Sequence, residues 1–123
     1  VDKLNNGVMI GIRQALRTAL TDAMRARDKT AMAALRSAIA AIDNAESVPV
    51  GDHRASAIEL AGTLGAAEAP RKVLTEDDIR TILQCEVADR RAAAQEYQAA
   101  GRMDHAEKLL RESDVLDRYL PLR

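Results

Sequence analysis

Apolar residues return at helical spacing in four stretches of the chain, and two turn signals sort those stretches into pairs. In the first stretch Ile12, Leu16, Ala19, Leu20, Ala23 and Met24 fall on one stripe, which predicts an amphipathic helix from about Ile12 to Arg27 with Arg13 and Arg17 bordering the stripe. Asp28 is placed to cap the next helix, expected to run to about Ala45. Its inner face is Ala31, Met32, Leu35, Ala38, Ile39 and Ile42. So short a turn between two helices predicts an antiparallel hairpin.

The third stretch opens with Thr75-Glu76-Asp77-Asp78. Thr75 and Asp78 have capping-box spacing, and the three acids sit at the positive end of the helix. Its stripe is Ile79, Ile82, Leu83, Val87, Ala94 and Tyr97, and Gly101 supplies a left-handed residue to end it near Ala100. A fourth helix is expected near Asp104, with Asp104 and Glu107 as a second capping box. Its inner face is Ala106, Leu109, Leu110, Ser113, Leu116 and Leu120, and Pro121 is its stop. The prediction is all-α: two antiparallel hairpins packed as a small four-helix arrangement.

Between the pairs the texture changes. Residues 47–74 carry Pro49, Gly51, Gly62, Gly65 and Pro70 among small side chains, and read as a long inserted loop. Residues 1–11 read as a disordered extension outside the folded unit. Residues 12–121 then form a single helical domain.

Composition agrees with helices. Ala dominates the apolar residues, Phe and Trp are absent, and Tyr97 and Tyr119 are the two aromatic side chains. Such a set packs helices closely and is a poor match to a β-sandwich. One cysteine, Cys85, allows no internal disulfide and no multi-cysteine zinc site, which points to a reducing cytoplasm. No apolar run approaches the length of a membrane span or resembles a signal peptide. The net charge of −1 hides an asymmetry: residues 1–40 hold seven basic and three acidic side chains, whereas the remainder is acidic. Arg13, Arg17, Arg25, Arg27, Lys29 and Arg36 form this basic front. It is either an ordinary solvated face or a surface for phosphates. No aromatic residue interleaves with it, so contact with the backbone and shape of a folded RNA suits it better than single-strand recognition.

Catalytic chemistry finds no constellation. His53 and His105 have no metal-binding spacing and read as surface histidines; Cys85 has no activating partner; Gly62-Thr-Leu-Gly65 lacks the lysine of a phosphate loop. No metal site and no cofactor is implied. One oddity stands out: Glu86 and Arg90, four apart, fall within the apolar stripe of the third helix. They form either a structural pair fixing register or a half-open groove offering Arg90 to an anion.

In the second half the residues resemble a known family. Thr75-Glu-Asp-Asp-Ile79, Glu86-Val87-x-x-Arg90-Arg91, Glu96-Tyr97-x-x-Ala100-Gly101-Arg102-x-Asp104 and Tyr119-Leu120-Pro121 occur in order, preceded by Leu35-Arg36-x-x-x-Ala40 and Asn44-x-Glu46. Together they resemble the GatB/YqeY-like family, over about residues 12–46 and 74–121. The resemblance implies a helical protein similar to the tail domain of the B subunit of tRNA-dependent amidotransferases, which contacts the body of the tRNA away from the chemistry. It also implies association with glutamine-dependent carbon–nitrogen ligation, chemistry that resides in other domains. The family usually continues into a second, smaller subdomain after Tyr-Leu-Pro, which is expected to be absent here, and usually has a short second link where residues 47–74 stand. The expected function is a non-catalytic adaptor for tRNA or another structured RNA, with Arg90, Arg102, Glu86 and Asp104 as a possible second patch. The alternatives are a protein-interaction module, and an accessory subunit in amide transfer.

Overall fold

The computed structural model describes residues 10–47 and 73–121. Among them are four α-helices and no strand: α1 (Ile12–Ala26), α2 (Lys29–Ser47), α3 (Glu76–Ala99) and α4 (Met103–Asp117). The chain is all-α, in two hairpins. Most of the segment expected as a loop over 47–74, and the extension expected over 1–11, lie outside the described residues. At the edges, Ser47 still belongs to α2, and Val73 and Leu74 lead into α3 without helical structure.

Each hairpin closes by a different device. Between α1 and α2, Arg27 takes the left-handed conformation (φ 58°) and lets the Asp28 N–H bond to the Ala23 carbonyl at 2.9 Å. Asp28 then caps α2, its Oδ1 accepting the Ala31 N–H at 3.1 Å. Between α3 and α4 the left-handed residue is Gly101 (φ 79°), and the Arg102 N–H bonds back to the Tyr97 carbonyl at 2.8 Å. Thr75 and Asp78 form the reciprocal capping box at the start of α3.

The N-terminus of α1 is capped from a distance. Gly11 precedes the helix and has no side chain to offer. Glu76, the first residue of α3, reaches across so that its Oε2 accepts the Ile12 N–H at 2.6 Å. One carboxylate therefore stands at the positive ends of two helices.

Helix α2 is the central element, packed against α1, α3 and α4. Leu16, Leu35, Ile42, Leu83 and Leu116 are fully buried around it, and each stabilises the fold by roughly 1.5–3 kcal/mol. Ala34 and Ala38 are fully buried as well, so the neighbouring helices approach the α2 backbone closely. Buried Ser113 satisfies its hydroxyl within its own helix, donating to the Leu110 carbonyl at 2.8 Å.

Three local expectations are corrected. Met24 is half exposed (50 %) rather than inward. Ala23 occupies the inner position, and one residue further turns the side chain about 100° round the helix, off the contact face. Asp104 and Glu107 do not form a capping box. Helix α4 starts at Met103, with Arg102 at the cap position, two residues before the expected cap at Asp104, and no side-chain cap. Asp104 lies inside the first turn, and its Oδ1 accepts the His105 N–H at 2.9 Å. Finally, α4 ends at Asp117, before Leu120; Tyr119 and Leu120 pack on the core from a turn beyond the helix.

Candidate functional site

The six basic residues of the first hairpin divide into two groups. Arg13 is half-buried and its Nη2 lies 2.9 Å from Glu46, joining the start of α1 to the end of α2. Arg17, Arg25, Arg27, Lys29 and Arg36 are exposed, and none forms an ion pair with any described residue. They lie on the outer faces of α1 and α2 and round the turn between them. The second hairpin is built differently. There Arg80, Arg90, Arg91 and Arg111 each face a carboxylate. Four arginines of the second hairpin are thus compensated, while Arg102, Lys108 and Arg118 there form no ion pair with a described residue; in the first hairpin Arg13 alone of the six is compensated.

Glu86 and Arg90 pair along α3, with Arg90 Nη1 donating to Glu86 Oε1 at 2.8 Å. The structure adds two residues that sequence reasoning missed. Glu112 of α4 accepts from Arg90 Nε at 3.0 Å, and Ser37 of α2 donates to Glu86 Oε1 at 3.2 Å. The chain Ser37–Glu86–Arg90–Glu112 therefore ties three helices together. Its inner end is shielded, the side chain of Arg90 being 13 % exposed and that of Glu112 9 %, while Glu86 is partly open and Ser37 is exposed. Burial works against the guanidinium charge, but the hydrogen bonds and charges of Glu86 and Glu112 outweigh it and raise the Arg90 pKa above its ordinary value. With Nε given to Glu112 and Nη1 to Glu86, Arg90 has the geometry of a structural tie between α3 and α4.

A third cluster occupies the α3–α4 turn. The Tyr97 and His105 rings stack with centroids 5.0 Å apart and planes inclined by 25°. The Arg102 guanidinium lies 5.9 Å from the Tyr97 ring centre, and its Nη2 is 3.2 Å from His105 Nδ1. Asp104 completes the group; the His105 backbone N–H, aided by the charge of Arg102, holds its carboxyl below the usual range. Arg102 and Asp104 were candidates from the sequence. His105, read there as an ordinary surface histidine, proves to be part of the stack.

Cys85 is exposed on α3. Among the described residues no three His, Cys, Asp or Glu side chains converge as metal ligands would. Nor is any helix among them long and apolar enough to cross a membrane. His53 and the Gly62–Gly65 stretch lie outside the described residues.

The sequence model of the Yqey-like protein family matches residues 13–123, nearly the whole chain. The chain belongs to the YqeY-like family. No curated protein matches it. The family match spans both hairpins of the YqeY-like fold, so the unpaired basic face, the Ser37–Glu86–Arg90–Glu112 tie and the Tyr97–His105 turn all fall within it.

Proposed function

We propose that this YqeY-like chain is a non-catalytic, RNA-associated helical adaptor of the cytoplasm, acting in the manner of an amidotransferase tail domain. Its first hairpin meets the phosphates of a tRNA or similarly folded RNA. The supporting observation is the set of cations Arg17, Arg25, Arg27, Lys29 and Arg36, which have no acidic partner among the described residues while four arginines of the second hairpin face carboxylates. Cations already paired would have to break those pairs to reach phosphate; unpaired ones release only solvent and counterions. Phosphate contact orients a partner without reading its sequence. The proposal gives the chain position instead of chemistry, and amide transfer would be carried out by another protein.

The test is a titration of tRNA at several salt concentrations with the wild type and the Arg17→Ala/Arg25→Ala double variant. The variant should bind all tRNAs more weakly by a similar factor. The slope of log affinity against log salt should fall by roughly 1.5–2, two phosphate contacts being lost. Absence of tRNA binding at low salt, or an unchanged slope, would overturn the proposal and favour a protein-interaction module.

A further inference from the structure

We propose that the α3–α4 turn is a nucleotide-binding site in which a guanine base stacks on the outer face of His105, Arg102 meets the phosphate, and Asp104 accepts the N–H groups of the base edge. It lies on the other hairpin from the phosphate face and goes beyond that reading.

The first argument concerns surfaces. Tyr97 stacks on one face of the His105 ring and the His105 side chain is still 48 % exposed, so the base is assigned to the opposite face. A planar ring already stacked on one side presents a rigid platform on the other, and base stacking uses such platforms. The ring is also held in orientation. Arg102 Nη2 lies 3.2 Å from His105 Nδ1 and Asp104 Oδ1 lies 3.8 Å from the same nitrogen, so both groups flank the ring edge.

The second argument concerns charge. Arg102 differs from Arg80, Arg90, Arg91 and Arg111 in facing a phenol ring and an imidazole nitrogen where those face carboxylates. Its guanidinium is oriented by these contacts and retains donors for a phosphate. Asp104 is exposed; its Oδ1 accepts the His105 N–H and lies 3.8 Å from His105 Nδ1, while Oδ2 is left for the base edge. The N1–H and N2–H₂ groups of guanine are adjacent donors that match a carboxylate, whereas uracil offers a single N–H between two carbonyl oxygens. Access is open as well: nothing lies within 4 Å of the position a Cβ would take on Gly101.

The base can come from a free nucleotide or from an unpaired base in an RNA loop, and the experiment separates these sources. His53 and His105 are the only histidines, so two imidazole Hε1 signals are expected in the proton NMR spectrum. GMP, UMP and tRNA are titrated at constant pH, with tRNA binding followed in parallel by fluorescence anisotropy. GMP should move the His105 signal upfield and UMP should move it less. His105→Ala should weaken GMP binding about tenfold, and His105→Phe, which keeps a stacking face, should restore most of it. A His105 shift with tRNA alone would support the site and place the base in an RNA loop. Equal responses to GMP and UMP would overturn the assignment of guanine. A still His105 signal while tRNA binds would overturn the site and leave the phosphate face standing; no binding of either GMP or tRNA would remove both.

Discussion

Arg90 brings one positive charge to two carboxylates in a partly shielded seam, so the Glu86–Arg90–Glu112 group carries a net negative charge. Removing the cation leaves two carboxylates facing each other with little water to separate them. Arg90→Ala is therefore expected to lower the free energy of unfolding by on the order of 3 kcal/mol in urea denaturation. Replacing all three ions by neutral groups removes the desolvation penalty, so Arg90→Met with Glu112→Leu and Glu86→Gln should recover most of that loss; a triple variant no better than the single one would show that the tie contributes more than its desolvation removes. Spacing along one helix was enough to find Glu86 and Arg90. Glu112 was equally legible in principle. A hairpin folded at Gly101 brings together residues equally distant from it, and Arg90 and Glu112 lie eleven residues to either side. The same reflection sends Tyr97 to His105, four residues to either side. Reading helix three by itself missed both partners.

At the scale of the element, the helices were predicted well and their ends less so. Four apolar stripes at a period near 3.6 are long-range signals that one residue cannot blur. Ends depend on single side chains competing for a few backbone groups. Thr75 and Asp28 bind the expected N–H groups, but Asp104 is displaced from capping because the chain leaving Gly101 enters α4 two residues early. The end of α1 falls within one residue of the expected Arg27, but its device was not foreseen: that arginine takes a conformation usually given to glycine. Since left-handed geometry is strained for a residue with a Cβ, Arg27→Gly should raise the unfolding free energy by roughly 0.5–1 kcal/mol. The same variant should weaken tRNA binding, as a cation of the first hairpin is lost. Stability and binding moving in opposite directions in thermal melts and titrations would separate the two roles of this position; a fall in stability would contradict the strain argument.

For the whole molecule, the pairing of helices into hairpins followed from turn lengths, but the way the hairpins join did not. That join rests on α2 and on contacts between residues far apart in sequence, such as Ser37 with Glu86 and Ile12 with Glu76. Periodicity shows which face of a helix is apolar and says nothing of which neighbour covers it. Ala34 was left off the inner face of α2 for this reason, although it is fully buried against a neighbour. Glu76 gives the join a measurable handle. Glu76→Ala should cost about 1 kcal/mol, comparable to losing an N-cap, and should speed hydrogen exchange at the Ile12 amide; Glu76→Gln, which keeps an acceptor, should cost less. An Ile12 amide as protected in Glu76→Ala as in the wild type would mean that another group caps α1.

The tie at Glu86 and the turn beyond Tyr97 stand on the same helix, about 16 Å apart at 1.5 Å per residue. Residues 98–105 are all exposed, so the end of this hairpin projects as a cantilever with its last buried residues at Ala94 and Ala106. A cantilever magnifies angular error at its clamp: a tilt of about 4° at Glu86 displaces the turn by about 1 Å. The aim of the exposed tip is thus set by the stiffness of a partly shielded salt bridge about three turns away, and loosening that clamp would blur the position of Tyr97 and His105 without touching either.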